Sequence, residues 1–116
     1  MRFLMLYKPG YDGSPPPTQQ HFEDMGRLIG EMAVAGILIA TDGLLDSSKG
    51  ARVRIENGEF TVTDGPFAET KELIAGFAMV RLDTMTEAIA WAKKFLALMG
   101  EGESEIRMMH DQAVFS

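Results

Sequence analysis

Two segments of this chain are apolar at both parities of an extended strand. In residues 2–7, Phe3, Met5 and Tyr7 alternate with Leu4 and Leu6, and the run from Leu73 to Leu82 does the same through Phe77, Ala78, Met79 and Val80. Successive side chains of a strand point to opposite faces, so a segment that is apolar at every position must be covered on both. These two segments are therefore read as central strands, and the rest of the chain is constrained to cover them.

The remaining periodicities supply two helices and three further pieces of sheet. Pro9 to Pro17 is a Gly/Pro loop that stiffens the chain before Thr18, whose hydroxyl suits a helix N-cap. The helix is expected to run to about Ala35, with Phe22, Met25, Ile29, Met32 and Ala33 inward and Glu23, Asp24, Arg27 and Glu31 outward. Gly36 terminates it. Ile37 to Ala40 reads as a short second strand, Thr41-Asp42-Gly43 as turn chemistry, and Leu44 to Gly50 as an irregular loop. Asn57-Gly58 between the alternating runs Arg52–Glu56 and Glu59–Thr63 specifies a two-residue hairpin, since both central residues of a type I′ turn need positive φ. That register sets Ile55 against Phe60 and Val53 against Val62 on a half-buried apolar face, with Arg52 and Arg54 opposite Thr63 and Thr61. Thr84 and Glu87 have capping-box spacing ahead of a second helix with Met85, Ala88, Ala92, Phe95 and Met99 inside. Gly100 ends that helix, and Ser104 to His110 is the last strand.

The expected fold is α+β: a ferredoxin-like βαββαβ unit with an inserted β-hairpin, forming one domain over residues 1–116. Two helices can cover one face of such a sheet. The central strands require a cover on the second face as well, and an identical subunit is the economical one, so a homodimer is expected.

Composition narrows the function classes. There are 11 Lys and Arg against 17 Asp and Glu, a net charge of -6, and no basic stripe, so nucleic acid is excluded as a direct partner. No cysteine is present, which removes disulfides, thiolate nucleophiles and zinc-thiolate sites. Two distant histidines without ligand spacing give no metal set, and the nine methionines read as core filler. The apolar N-terminal stretch is too short to span a membrane and lacks a cleavage site, so no membrane association and a cytoplasmic location are expected.

The run Thr63-Asp64-Gly65-Pro66-Phe67-Ala68-Glu69-Thr70-Lys71-Glu72 resembles the signature of the DGPF family, also called DGPFAETKE proteins, within the YCII-related proteins. Gly36-Ile37-Leu38, Asp42-Gly43-Leu44 and Gly76-Phe77 extend the resemblance over essentially the whole chain. It implies the ferredoxin-like fold and a dimeric α/β barrel. It implies no particular reaction, because the family's activity is largely unassigned. In YCII-related proteins a histidine near the start of the first helix is thought to pair with an aspartate for acid–base work, and His21 matches that histidine. The aspartate normally lies in an Asp-Pro-aromatic motif after the second helix, where this chain has Met99-Gly100-Glu101-Gly102. The partner role then falls to Asp64 or Asp42.

Imidazole beside a carboxylate is a workable base at neutral pH. His21 lies on the flank of the apolar stripe, where it can border a cavity. The alternative is a helix-start histidine with no chemical role. Asp64 and Asp42 are each a candidate orienting carboxylate or a turn aspartate. In the signature loop, Phe67, Glu69 and Lys71 are candidate substrate-binding residues, with Lys71 placed to stabilise an anion and Glu69 to pair with it, or else all belong to a solvated salt-bridge cluster. Two functions stay open. One is an enzyme that needs no cofactor and moves a proton on a small metabolite. The other is a non-catalytic dimer that binds a ligand or protein in regulation, in keeping with relatives encoded beside alternative sigma factors.

Overall fold

The computed structural model describes residues 1–12, 17–69 and 72–110. The elements are β1 (Arg2–Lys8), α1 (Gln19–Val34), β2 (Leu38–Gly43), β3 (Ala51–Glu56), β4 (Glu59–Asp64), β5 (Gly76–Arg81), α2 (Met85–Met99) and β6 (Glu103–Met108), with a 3-10 turn at Ser47–Lys49. Strands β2, β5, β1 and β6 form one antiparallel sheet in that order, and β3 pairs with β4 alone. The doubly apolar segments thus take the two central positions. With the hairpin set aside, the topology is ferredoxin-like βαββαβ.

Register explains which face each helix takes. Phe3 opposes Val80 and Met5 opposes Ala78 on one side of the sheet, while Leu4 opposes Met79 and Leu6 opposes Phe77 on the other. The first side receives both helices. Phe3 and Val80 are fully buried there, against Leu28 and Met32 of α1 and Ala88 and Ala92 of α2. Among the described residues no helix covers the other side, where Leu4, Leu6, Phe77 and Met79 remain half-buried.

The helices differ in how much of their apolar faces they bury. In α2, Ala88, Ala92 and Phe95 do face the core, while Met85 at its start is exposed. In α1 the buried line is Leu28 and Met32, leaving Phe22 56% and Ile29 38% exposed. The apolar arc of α1 is wider than the strip a sheet can cover, and packing selects one edge of it.

Three boundaries moved. β2 continues through the expected turn to Gly43, because Thr41, Asp42 and Gly43 pair with Ala78, Phe77 and Gly76. The Thr41 hydroxyl reinforces this by donating to the Phe77 carbonyl at 2.8 Å. β5 starts at Gly76 rather than Leu73: Ala75 N–H donates to the Tyr7 carbonyl and Leu44 N–H to the Ala75 carbonyl, each at 2.8 Å, outside the regular ladder. The last strand begins one residue early and ends at Met108.

The hairpin has the expected register and turn, with Asn57 and Gly58 at φ 51° and 81°. Its burial departs from expectation. Val53, Ile55, Phe60 and Val62 are between 60% and 73% exposed, so the apolar face is open rather than half-buried. The two-stranded ribbon shares no hydrogen-bonded ladder with the main sheet, which would otherwise have brought it over a core. Neither helix is long and apolar enough to cross a membrane among the described residues.

Candidate functional site

The loop after β4 is built by close approach. Gly65 lies against the turn at Ser47, where a Cβ would collide with the Ser47 carbonyl, so glycine alone fits. Gly65 N–H donates to the Gly50 carbonyl at 3.1 Å, and the following Gly65–Pro66 bond is cis. Phe67 N–H donates to the Ser47 hydroxyl at 2.9 Å. That hydroxyl donates in turn to Asp12, whose other oxygen accepts the Ser47 N–H at 2.9 Å. Arg52 of β3 stacks 4.0 Å over the Phe67 ring and pairs with Glu69 at 3.0 Å. The Arg52 guanidinium holds the Glu69 carboxyl below its usual range.

Glu72, the last residue of this loop, reaches Lys8 at the end of β1 at 3.1 Å, and Lys8 also meets Glu105 of β6 at 2.8 Å. Lys8 is the buried charged residue of the described chain, and Glu105 first, then Glu72, raise its pKa. Lys8 and Arg107 lower that of Glu105 in return. The loop is therefore strapped at Gly65, Phe67 and Glu69 to the segment 47–52 and at Glu72 to the end of β1.

A cavity of about 120 Å³ has Asp12, the partner of Ser47, in its lining. Its apolar wall is Leu44, Leu45, Leu73 and Ile74, and its polar groups are the hydroxyls of Tyr7 and Tyr11 and the carboxylates of Asp12 and Asp46. No Lys, Arg or His lines it among the described residues. Burial, then the neighbouring Tyr11 and Glu101, push the Tyr7 hydroxyl up to about 12, so it stays protonated at neutral pH. It donates to the Glu101 carbonyl at 3.0 Å, and its ring meets Phe95 edge-on at 4.9 Å. Asp12 is held below its ordinary range by the Ser47 hydroxyl and then the Ser47 N–H, and is ionised. The site thus offers fixed acceptors, neutral hydroxyls and an apolar wall. A more open hollow of about 390 Å³ beside Ile37, Leu82 and Trp91 includes Glu87, which is occupied in bonding the Asp83 N–H ahead of α2.

His21 is the third residue of α1 and half-buried. Its N–H donates to the Thr18 hydroxyl at 3.1 Å, and Thr18 N–H donates back to His21 Nδ1 at 3.4 Å, completing a capping box. With Nδ1 accepting, a neutral ring carries its proton on Nε2 and offers a donor there. No carboxylate hydrogen-bonds His21 among the described residues, and it lines neither cavity. Asp42 shares the face of Phe77, the side of the sheet away from the helices, and accepts the Gly43 N–H at 2.9 Å. Asp64 ends β4 opposite Ala51, exposed. The structure brings neither to His21. It does join Phe67 and Glu69, through Arg52. Lys71, and Asp111 beside His110, lie outside the described residues.

Sequence reasoning missed Lys8, Tyr7, Tyr11, Asp12, Asp46 and Ser47. Tyr7 reads as a core position and Lys8 as the polar end of a strand, and the others sit in loops with no fixed spacing. The one available signal is Asp46-Ser47-Ser48, ordinary turn chemistry, in which Asp46 lines the cavity and Ser47 bonds Asp12. Among the described residues no group of three or more His, Asp or Glu is placed to hold one metal ion.

An uncharacterized protein, R00369, of Rhizobium meliloti (strain 1021) is 34% identical over 80 residues, 69% of this chain and 64% of that protein, so the chain spans just under two thirds of that relative. The structure of 5-chloro-2-hydroxyhydroquinone dehydrochlorinase (TftG) from Burkholderia phenoliruptrix AC1100, in complex with 2,5-dihydroxybenzoquinone, superposes with a TM-score of 0.52. It covers 97% of this chain and 98% of that one at 12% identity, a likeness of fold. Residues 1–105 match the pattern of the YCII-related domain, and the chain belongs to that family.

Proposed function

We propose that this chain is a YCII-related protein of the DGPF type whose cavity binds a small, uncharged, hydroxylated molecule about one ring in size. The observation that carries this is the lining: an apolar wall, two tyrosine hydroxyls, two carboxylates and no described cation. Carboxylates accept from hydroxyl groups and repel an anion. A cavity of about 150 Å³ takes benzene in another protein, so the volume suits a small ring. A thermal-shift screen of neutral monocyclic phenols and polyols against their carboxylated counterparts tests the reading. Stabilisation by the neutral set, lost in Tyr11→Phe and Asp12→Asn, is expected; preference for the carboxylated set would sink it.

The fold likeness to TftG, a dehydrochlorinase, favours a second reading in which the bound molecule is turned over by proton transfer without a cofactor. His21 would carry the proton, with Asp64 or Asp42 as partner, Lys71 as electrostatic stabiliser and Phe67 and Glu69 as binding residues. Because Asp42 faces away from α1, that pairing would need a second subunit. Turnover undiminished in His21→Ala would remove His21 from the chemistry, and a wild type that binds such a molecule without turning it over would leave a non-catalytic binding dimer. The dimer itself is proposed as an α/β barrel in which a second copy covers Leu4, Leu6, Phe77 and Met79. Sedimentation equilibrium on the wild type and Leu6→Glu is the check, with dissociation of the variant expected.

A further inference from the structure

The β3–β4 hairpin displays four large apolar side chains on one face. Val53 stands opposite Val62 and Ile55 opposite Phe60, and nothing in the described subunit covers them. A two-stranded ribbon with no third strand or helix upon it is marginal in water, and a contiguous exposed apolar patch marks an interaction surface. This ribbon is held at its base, through the Gly65–Gly50 bond and the Arg52–Glu69 pair. The chain is correspondingly spread, with a radius of gyration of 15.9 Å and extents of 46 × 40 × 18 Å, where a compact chain of this length has about 13 Å.

Area decides what covers the ribbon. At standard strand spacings, four strands of this length make a face of roughly 20 Å by 19 Å, on the order of 400 Å². A stable homodimer buries about 800 Å² per partner. The open face of the main sheet therefore supplies about half of what the proposed dimer needs. The hairpin face adds on the order of 200 Å² per subunit by the same spacings, which brings the total closer to that requirement. Arg52 and Arg54 are on the ribbon's other face, so covering the apolar one buries neither.

We infer that the β3–β4 hairpin is an arm covered by a second copy of this chain, each subunit's arm lying on the other across the two-fold axis. The inference rests on the dimeric reading above and adds a second, separable part to its interface. The test compares the dissociation constant, by sedimentation over a dilution series, of wild type and a Phe60→Ser/Val62→Ser variant, with circular dichroism reporting that the main sheet is intact. The expected result is a dimer weakened about a hundredfold or more. An unchanged constant would overturn the arm and leave the dimer standing, while a wild type monomeric at every concentration would overturn both. Should the variant fail to fold, amide hydrogen exchange on the wild type decides: protection within residues 53–62 that disappears on dilution to monomer is expected, and protection independent of concentration overturns the arm.

Discussion

Ser47 and Asp12 are joined twice: the Ser47 N–H donates to one carboxylate oxygen at 2.9 Å and its hydroxyl donates to the other. The same hydroxyl accepts the Phe67 N–H, so one side chain connects the cavity wall to the loop after β4. Ser47→Ala removes a donor from a carboxylate and leaves a part-buried N–H unpaired. A stability loss of about 1–3 kcal/mol is expected by urea denaturation, together with an Asp12 carboxyl that titrates closer to its ordinary range by NMR.

Gly65→Ala should be more damaging than any loop substitution of its size. The added methyl meets backbone, the Ser47 carbonyl, and not the end of a flexible side chain. The turn at Ser47–Lys49 or the loop must then move. A loss exceeding about 3 kcal/mol is expected, read as a fall in Tm; a change within about 0.5 kcal/mol, usual for surface positions, would show that Gly65 is not wedged there.

Stability should fall on both sides of a neutral plateau, for different groups. Folding lowers the carboxyls of Asp12, Glu69 and Glu105, so their contribution is present above the ordinary carboxylate range and disappears as pH falls through the lowered values. Folding raises Lys8, so its contribution is present below its ordinary value of 10.5 and disappears as pH rises through the raised one. A double-mutant cycle of Lys8→Met and Glu105→Gln should give a coupling that is constant around neutral pH and fades as pH falls through the lowered Glu105 value. A coupling independent of pH would show that the contact is not ionic.

Tyr7 supplies a spectroscopic check. Its hydroxyl is expected to ionise near pH 12, and the final step of the tyrosinate absorbance titration should be missing in Tyr7→Phe. Since the raised value opposes ionisation in the folded state, Tyr7 joins Lys8 in making the alkaline side unfavourable for folding.

How much of this was legible in the sequence depended on whether the signal was local. Central strands, caps at Thr18 and Thr84, and the Asn57-Gly58 turn follow from parity, side-chain chemistry and φ preference, all set within a few residues. The course of β2 through Asp42 did not, because pairing with Phe77, thirty-five positions away, outweighs the turn tendency of Thr41-Asp42-Gly43. The cavity was the least legible part. Tyr7, Asp12, Asp46 and Ile74 meet through tertiary contact alone, and a buried Lys8 between Glu72 and Glu105 cannot be told from any surface lysine before the strands are aligned. The loop after β4 stood out by composition, yet its contacts at Ser47, Gly50 and Lys8 become visible in three dimensions.

Because the hairpin is tied down at Arg52 and Gly65, its distal turn is mechanically remote from both the cavity and the four-stranded sheet. For the folding of the single subunit, though not for the arm's contact with a second copy, Asn57 and Gly58 form a permissive insertion point. A peptide tag or reporter spliced there would lengthen the ribbon, and the ligand-holding body would fold without registering the cargo.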